Sequence, residues 1–356
     1  MDHTPTSLLS LPQLARLAAV GHVFVKCEGE RPLGNFKTLG GMLAAERALA
    51  RAGGGSAART GEGPAERLPR IICASDGNHG LAVAAAARRV GTESTVYLPV
   101  GVEPLRVERI RSMGARIVWI SGTYDDAVCA AAQAAADGQG LLIPDTSEDP
   151  ESLVVKDVMD GYGRLTTELR EQVREVADAP SHLFVQAGVG GLAAAMGRDL
   201  EGVLREPARL LTVEPEKVPC VAMALAAGRP VRVPGDLRTA ASMLSCGVAS
   251  AAALAILQNL HVSPVLVSEE ELAAAVGILR RTGGPDSTAS GAAGVAGLLR
   301  VASSRLLRAR HQLDAHSSVL LVATEAALAP RLASRPELPV ESEGRAKPWR
   351  TIRFYW

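Results

Sequence analysis

From about Arg70 onward, the sequence alternates between short apolar runs and longer amphipathic segments, and this alternation restricts the possible folds more than any other feature. The short runs are rich in valine, isoleucine and leucine, which is typical of buried strands, and the longer segments have the apolar spacing of helices. Strands that alternate with helices at this spacing indicate parallel sheets with helices on both faces. We therefore predict an α/β fold.

The predicted elements follow one another without an internal repeat. The predicted strands are residues 71–74, 95–98, 116–120, 141–143, 182–186, 209–213 and 318–323. The predicted helices are residues 81–89, 104–113, 124–136, 153–176, 192–200, 218–227, 269–281 and 292–308. Between residues 228 and 268 the pattern has no clear period, so no regular element is predicted there.

Composition and charge exclude several classes of function. Hydrophobic residues make up 47% of the 356 residues but aromatic residues only 3%, so the predicted core is aliphatic. Lysine plus arginine equals aspartate plus glutamate at 38 each, so no net charge attracts nucleic acid or an anionic membrane. The five cysteines form no CxxC pair and no metal-ligand spacing. Because no signal peptide or membrane helix is indicated, we expect a cytoplasmic enzyme without metal, nucleic-acid or membrane partners.

A glycine-rich turn, QAGVGGL, joins a predicted strand to a predicted helix. Backbone N–H groups in such a turn can approach a phosphate, and the residues that would do so are Gly188, Val189, Gly190, Gly191 and Leu192. The turn also fits the GxGxxA dinucleotide pattern, with Glu214 at the end of the next strand as the acidic partner. Taken alone, it is equally compatible with a nucleotide site and with a tight connection of no chemical role.

A second polar turn, SDGNHG, follows the strand at residues 71–74. Ser75 or Asp76 by itself is explained as a helix N-cap, but a bare turn does not need aspartate, asparagine and histidine together. We predict that Asn78 hydrogen-bonds the edge of a flat ligand. We also predict that Asp76 exchanges protons, provided that burial offsets the helix end, which lowers the pKa of a carboxyl group.

Lys37 and Asp145 are two further candidates. An isolated lysine is usually solvated, but Lys37 stands between Phe36 and Leu39 at the start of an apolar helix. A partly buried lysine has a lowered pKa and can form a Schiff base with a carbonyl compound. Asp145 ends a predicted strand in Pro-Asp-Thr, where it serves either in proton transfer or as a helix cap.

In this order, the motifs resemble those of the fold-type II pyridoxal-phosphate (PLP) enzymes, the superfamily of threonine dehydratase, tryptophan synthase β and cysteine synthase. Within it, the chain is most similar to the diaminopropionate ammonia-lyases. The resemblance covers residues 25–325 and rests on the segments FKTLGG, DGNHG, PDT, MDGY, QAGVGGL and VEPEK. It implies a two-lobed α/β fold in which each lobe is a mostly parallel sheet flanked by helices, and it implies a homodimer.

The resemblance implies roles for the candidates at the cofactor. Lys37 matches the Schiff-base lysine, and Asn78 matches the residue that contacts the pyridoxal 3′ oxygen. Residues 188–192 match the loop that holds the phosphate. Thr324, at the end of the last strand, is a candidate partner of the pyridine nitrogen.

The resemblance also implies roles in the chemistry. Asp76 and Asp145 match two aspartates that assist substrate deprotonation and binding, and the implied reaction converts 2,3-diaminopropionate to pyruvate and ammonia. Cys220 and Cys246 match a cysteine pair that can form a disulfide in the lyases. For a reducing cytoplasm we expect free thiols.

Three departures from the lyases concern the substrate pocket: Ser147–Glu151, Ala289 and Ala326. They keep open a PLP-dependent dehydratase or β-replacement synthase that acts on another β-substituted amino acid. An NAD(P) dehydrogenase built on the glycine turn and Glu214, and a homologue that binds PLP without catalysis, are more remote alternatives.

We predict a discontinuous domain organisation. Residues 1–72 and 178–330 form the large PLP-binding domain, and residues 73–177 form a smaller inserted α/β domain. Ala52–Arg70 has the composition of a flexible surface insertion, and residues 331–356 are an irregular C-terminal tail.

Overall fold

The computed structural model describes residues 4–53 and 68–328, and their strands form two sheets. The strands are β1 (Leu8–Ser10), β2 (His22–Cys27), β3 (Ile71–Ala74), β4 (Ser94–Pro99), β5 (Arg116–Ile120), β6 (Leu141–Leu142), β7 (His182–Gln186), β8 (Arg209–Pro215), β9 (Ser263–Val267) and β10 (Ser318–Ala323). The larger sheet has the order β1-β2-β10-β7-β8-β9, and the smaller has the order β5-β4-β3-β6. Apart from β1, which is antiparallel to β2, neighbouring strands are parallel.

Twelve α-helices connect and cover these strands in the described part of the chain. They are α1 (Pro12–Ala18), α2 (Lys37–Ala52), α3 (Asn78–Val90), α4 (Pro104–Ser112), α5 (Tyr124–Ala136), α6 (Leu153–Gln172), α7 (Gly191–Asp199), α8 (Cys220–Ala227), α9 (Ala251–Asn259), α10 (Glu269–Arg281), α11 (Ala293–Ser303) and α12 (Arg305–His311). Every residue of β3, β7 and β10 is buried, as expected for parallel strands with both faces covered. The predicted fold of two mostly parallel sheets flanked by helices is confirmed.

Two element predictions were wrong. The single helix predicted over residues 292–308 is two helices, because Ser304 has extended backbone and its hydroxyl caps α12 by accepting from Leu307 N at 3.3 Å. The region from 228 to 268, predicted to lack regular elements, contains α9 and β9.

Helices α2 and α6 cross where two glycines meet. A Cβ atom on Gly40 would lie 2.6 Å from the Tyr162 ring, and one on Gly161 would lie 2.6 Å from Gly40 Cα. Because neither residue has a side chain, the two backbones approach closely. This crossing sets the position of the first turn of α2, which carries Lys37.

The domain division remains a prediction. The predicted boundary after residue 72 falls within β3, whose four residues all pair with β4 in the smaller sheet. We therefore propose that the smaller domain begins before Ile71.

Two sequence predictions concern residues that the structure does not describe. Most of the insertion predicted at Ala52–Arg70 and the whole tail at residues 331–356 lie outside the described ranges. Within residues 4–53 and 68–328, no helix combines the length and the apolar character needed to span a bilayer.

Candidate active site

A cavity lies where the carboxyl ends of strands from both sheets meet. All ten residues predicted to bind PLP or to act in its chemistry line it: Lys37, Asp76, Asn78, Asp145, Gly188, Val189, Gly190, Gly191, Leu192 and Thr324. In parallel α/β folds, ligands bind at this end of the strands. The fold therefore brings residues from five separate segments to one candidate site.

Lys37 is the first residue of α2, and its side chain is 20% exposed. The preceding residue is tied to the last strand, since Phe36 N donates to Thr324 O at 3.1 Å. The Lys37 amine donates to the Asp145 carboxylate. Burial is the largest single influence and lowers the pKa of Lys37, but the Asp145 charge, the Asp145 hydrogen bond and the nearby Tyr162 and Cys246 together raise it more, so the net pKa is above the ordinary value. The lowered pKa expected from burial is therefore not found, because an anion lies beside the amine.

Lys26 also lies in the part of the chain that resembles the PLP enzymes, but it has a structural role. Its side chain is fully buried, and Nζ donates to Thr6 O at 2.7 Å, Glu168 Oε2 at 2.8 Å and Gln172 Oε1 at 2.9 Å. These contacts use all three donors of the ammonium group. Lys26 does not line the cavity, so Lys37 is the lysine available for chemistry there.

Asp145 is held between two donors. Its Oδ1 accepts from the Tyr124 hydroxyl at 2.6 Å, and its Oδ2 accepts from Lys37. Burial raises the pKa of Asp145, but the Lys37 charge and these hydrogen bonds outweigh burial and hold the pKa below its usual range. Asp145 is therefore ionised in the cavity. Its carboxylate accepts from two side chains rather than from the first N–H groups of a helix, so its contacts are not those of a helix cap.

Tyr124 was not predicted from the sequence as a site residue. Tyr124 begins α5 directly after Thr123, which forms a capping box with Asp126. A capping box identifies the start of a helix from sequence, but it does not reveal that the first side chain faces Asp145.

In the SDGNHG turn, Ser75 does the capping. Its Oγ accepts from Gly77 N and from Gly80 N, both at 2.8 Å. Asp76 is thereby left free for other roles, and burial, together with the Asp145 charge, raises its pKa to about 8. At neutral pH, Asp76 is mostly protonated, whereas Asp145 is ionised.

The glycine turn forms a cradle at the start of α7. Gly190 has φ +97°, which favours glycine, and a Cβ on Gly188 would lie 3.3 Å from Cys246 Sγ and Met243 O. The first N–H groups of a helix have no partner within the helix and carry partial positive charge. Because Gly188, Gly190 and Gly191 have no side chains, a phosphate group can approach these N–H groups. The residues present therefore fit the phosphate of PLP.

The residues predicted at the PLP ring are also held in defined contacts. Thr324 Oγ1 accepts from Gln186 Nε2 at 3.0 Å. Gln186 Nε2 also lies 3.0 Å from Gly291 O and Val322 O, and because carbonyls only accept, they fix the orientation of this amide. Asn78 Oδ1 accepts from Arg106 Nη1 at 3.2 Å. Gln186 and Arg106 were not identified as site residues from the sequence.

Glu214 does not serve a dinucleotide. Its carboxylate accepts from Val221 N at 2.7 Å and from Ala222 N at 2.9 Å, so it caps α8. Glu214 is completely buried and does not line the cavity. The NAD(P) alternative thus loses the acidic residue on which it depended.

Cys220 and Cys246 are both free, buried thiols. Cys220 Sγ donates to Gly188 O at 3.2 Å, and Cys246 lines the cavity. Burial raises the pKa of both thiols well above the ordinary value, so both are protonated.

The fold and the site together define a PLP-dependent enzyme of fold type II. The chain belongs to the family of pyridoxal-phosphate dependent enzymes, whose family model matches residues 1–325. This finding confirms the PLP cofactor inferred from the sequence motifs.

Two diaminopropionate ammonia-lyases and a crystal structure of one of them are similar to this chain. The chain is 32% identical over 354 residues to the diaminopropionate ammonia-lyase of Salmonella typhimurium. The match covers 92% of this chain and 87% of the relative. The chain is 30% identical over 337 residues to the Escherichia coli enzyme, and this match covers 91% of this chain and 84% of the relative. The crystal structure of the E. coli enzyme with an aminoacrylate-PLP azomethine reaction intermediate is similar to the chain with a TM-score of 0.81 and 28% identity, covering 91% and 85% of the two chains.

Proposed function

We propose that the chain is a PLP-dependent carbon–nitrogen lyase that converts 2,3-diaminopropionate and water to pyruvate and two molecules of ammonia. The observation that carries the proposal is that two carboxyl groups line the cavity with Lys37 and that their surroundings shift their pKa values in opposite directions. Asp145 is held ionised and Asp76 is held protonated near neutral pH. Carboxyl groups whose pKa values are driven apart are typical of sites with distinct acid and base roles.

The charge of Asp145 favours a diamino acid over a hydroxy amino acid. Diaminopropionate carries an amino group at Cβ that can be protonated, and a buried carboxylate complements that cation. Serine and threonine carry a neutral hydroxyl at the same carbon. Asp145 is 8% exposed, so its charge is little screened by solvent.

The residues that would hold PLP are the Lys37 amine, the turn at residues 188–192, Asn78 and Thr324. When bound, PLP supplies an electron sink for the charge that develops at Cα of an amino acid. In its neutral form, Lys37 Nζ is the base that takes the Cα proton on one face of the substrate, and the ionised form of the Asp76 carboxyl group serves on the opposite face. With a base on each face, we expect turnover of both D and L isomers.

Pyruvate release from PLP-loaded protein given D- or L-2,3-diaminopropionate tests the proposal. We expect release from the wild type and a loss in Lys37→Ala. Lys156→Ala is the matched control, because Lys156 lies on α6, pairs with Glu151 and does not line the cavity. Full turnover in Lys37→Ala would contradict the proposal.

Absence of release from wild-type protein that retains the absorption of bound PLP would also contradict the diaminopropionate assignment. That result would favour another β-substituted amino acid as the substrate, and thus a dehydratase or a β-replacement synthase. The residues to vary would be the acidic segment at residues 147–151, where the chain departs from the lyases.

We further propose a homodimer in the cytoplasm. The family resemblance supports the dimer, and the five free cysteines fit a reducing compartment. Sedimentation velocity is expected to give one species of twice the chain mass, and a monomer at micromolar concentration would contradict the dimer.

A further inference from the structure

Arg106, Asn78 and Glu325 form a closed set of hydrogen bonds. Arg106 Nη2 donates to Glu325 Oε1 at 2.9 Å, and Arg106 Nη1 donates to Glu325 Oε2 at 3.1 Å. Arg106 Nη1 also donates to Asn78 Oδ1 at 3.2 Å, and Asn78 Nδ2 donates to Glu325 Oε2. Each of the three side chains therefore contacts the other two.

All three residues are buried, with exposed fractions of 5% for Arg106, 7% for Asn78 and 2% for Glu325. Asn78 and Glu325 line the cavity, whereas Arg106 does not. Burial raises the pKa of Glu325, but the Arg106 charge and the hydrogen bonds from Arg106, Thr288 and Asn78 together outweigh burial and hold the pKa below its ordinary value. An ionic group at this depth is stable only because its partners are in place.

The backbone fixes both ends of this set. Glu325 forms a β-bridge with Asn35, two residues before Lys37. At the other end, the Arg106 stem packs on Gly77, where a Cβ would lie 2.8 Å from Arg106 Cδ. Arg106 belongs to α4 beside the smaller sheet, and Glu325 follows the last strand of the larger sheet. The set therefore connects the turn before α3 to the segment that carries the catalytic lysine.

We propose that Arg106 and Glu325 are positioning residues that fix the Asn78 amide for contact with PLP. The Arg106 guanidinium donates to the amide oxygen of Asn78, and the Glu325 carboxylate accepts from one of the two amide N–H groups. The second N–H bond is then the one that remains for the PLP ring. This inference rests on the role proposed for Asn78 and does not depend on which amino acid is the substrate.

The geometry requires arginine at position 106. Two nitrogens of one planar group reach both carboxylate oxygens and the amide oxygen together, and the single ammonium nitrogen of lysine cannot replace this arrangement. Arg106→Lys keeps the positive charge beside Glu325 but changes the arrangement of the hydrogen-bond donors. This variant therefore tests the orientation of the donors without a change of charge.

The first experiment is titration of the Arg106→Lys apoprotein with PLP, followed by visible circular dichroism of the bound cofactor. We expect PLP affinity to fall on the order of tenfold and the visible band to change, because loss of a coupled contact typically costs this much. Arg205→Lys is the matched control. Arg205 forms a two-bond pair with Asp178 at the opposite end of the larger sheet, with distances of 2.9 and 2.8 Å, and we expect no change in PLP affinity there.

A double-mutant cycle tests whether Arg106 acts through Asn78. If it does, Arg106→Lys weakens PLP binding in the wild type but has little further effect in an Asn78→Ala background. Wild-type affinity and an unchanged visible band in Arg106→Lys would overturn the proposal. Equal losses of affinity in both backgrounds would overturn it as well.

If Arg106→Lys does not fold, the double variant Arg106→Met/Glu325→Gln removes both charges and leaves no unpaired ion. Weak PLP binding by a folded double variant supports positioning, whereas wild-type binding shows that the pair only maintains the fold and overturns the proposal. None of these measurements uses an amino-acid substrate. Failure of the proposed lyase reaction therefore leaves the test of Arg106 intact.

Discussion

At the scale of single residues, the Asp145 carboxylate accepts a hydrogen bond from a tyrosine 21 positions earlier in the chain. We expect Tyr124→Phe to raise the pKa of Asp145, because one of the two donors to the carboxylate is lost. A hydrogen bond to a charged group contributes roughly 1.5–3 kcal/mol, so KM for diaminopropionate should rise roughly tenfold or more. Steady-state kinetics across pH measure this effect.

The control for Tyr124→Phe is Tyr97→Phe. Tyr97 is another buried tyrosine, on β4, and it does not line the cavity. We expect wild-type KM in that variant, and an unchanged KM in Tyr124→Phe would show that the tyrosine does not support substrate binding.

The pKa of Asp76, raised to about 8, gives a second prediction. The groups that set the pKa besides burial are Asp145 and Asp125, which raise it, and Arg106 and Lys37, which lower it. Asp76 accepts a proton only when ionised, so turnover of the isomer that it serves should rise with pH through about 8. Asp76→Asn is expected to remove this rise and to slow that isomer on the order of a hundredfold.

The measurement is a pH–rate profile of each isomer of diaminopropionate with wild type and Asp76→Asn. Turnover of the other isomer, which depends on Lys37, serves as the internal control. Profiles that coincide in the two proteins for both isomers would exclude Asp76 as a base.

Local sequence was enough to find some residues of the site but not their partners. Lys37, Asp76 and Asn78 stand in short segments whose composition is unusual for a bare turn or a surface helix. Tyr124 and Arg106 have no such local signal, because each acquires its role from a residue that only the folded chain brings near. The sequence therefore predicted side chains that line the cavity, but not the residues that hold them in place.

At the scale of helices and strands, the crossing of α2 and α6 provides a test. Gly40→Ala is expected to destabilise the fold by about 1–3 kcal/mol, because the new methyl group would overlap the Tyr162 ring. The shift of α2 should also displace Lys37 and weaken PLP binding.

Gly53→Ala is the matched control for this helix. It lies at the end of α2, where the nearest atom to a Cβ is Leu49 O at 3.4 Å, and we expect almost no change in stability. Denaturant unfolding and PLP titration compare the two variants, and equal stabilities would show that the crossing tolerates a methyl group.

The elements that were predicted from sequence are those with a clear period and a buried face. Strand β9 was missed because Pro264 interrupts it and because only two of its five residues are buried, Val265 and Val267. Helix α9 was missed because its mixture of alanine and leucine has little amphipathic contrast. The break between α11 and α12 depends on a single serine cap within an otherwise continuous helical pattern.

At the scale of the whole molecule, PLP should stabilise the fold, because its cavity is built from segments that follow strands of both sheets. A ligand present at 100 times its Kd adds about 2.7 kcal/mol to the free energy of unfolding. Removal of PLP with hydroxylamine is therefore expected to lower Tm by roughly 5 °C or more, and addition of PLP should restore it.

Scanning calorimetry with and without added PLP measures this difference. Lys37→Ala should show a smaller gain, since one anchor of the cofactor is absent. Identical Tm values for PLP-free and PLP-loaded wild type would place the cofactor outside the cavity between the sheets.

The position of β10 has a consequence for biosynthesis. This strand comes from the end of the described chain, yet it lies between β2 and β7 in the middle of the larger sheet. During translation, β2 can pair with β1, but β2 and the segment that carries Lys37 contact residues 318–325 only after those residues have left the ribosome. The nascent chain consequently cannot capture its cofactor until almost all of the described sequence has been made, and a ribosome that stalls earlier releases a protein with its lysine but without its site.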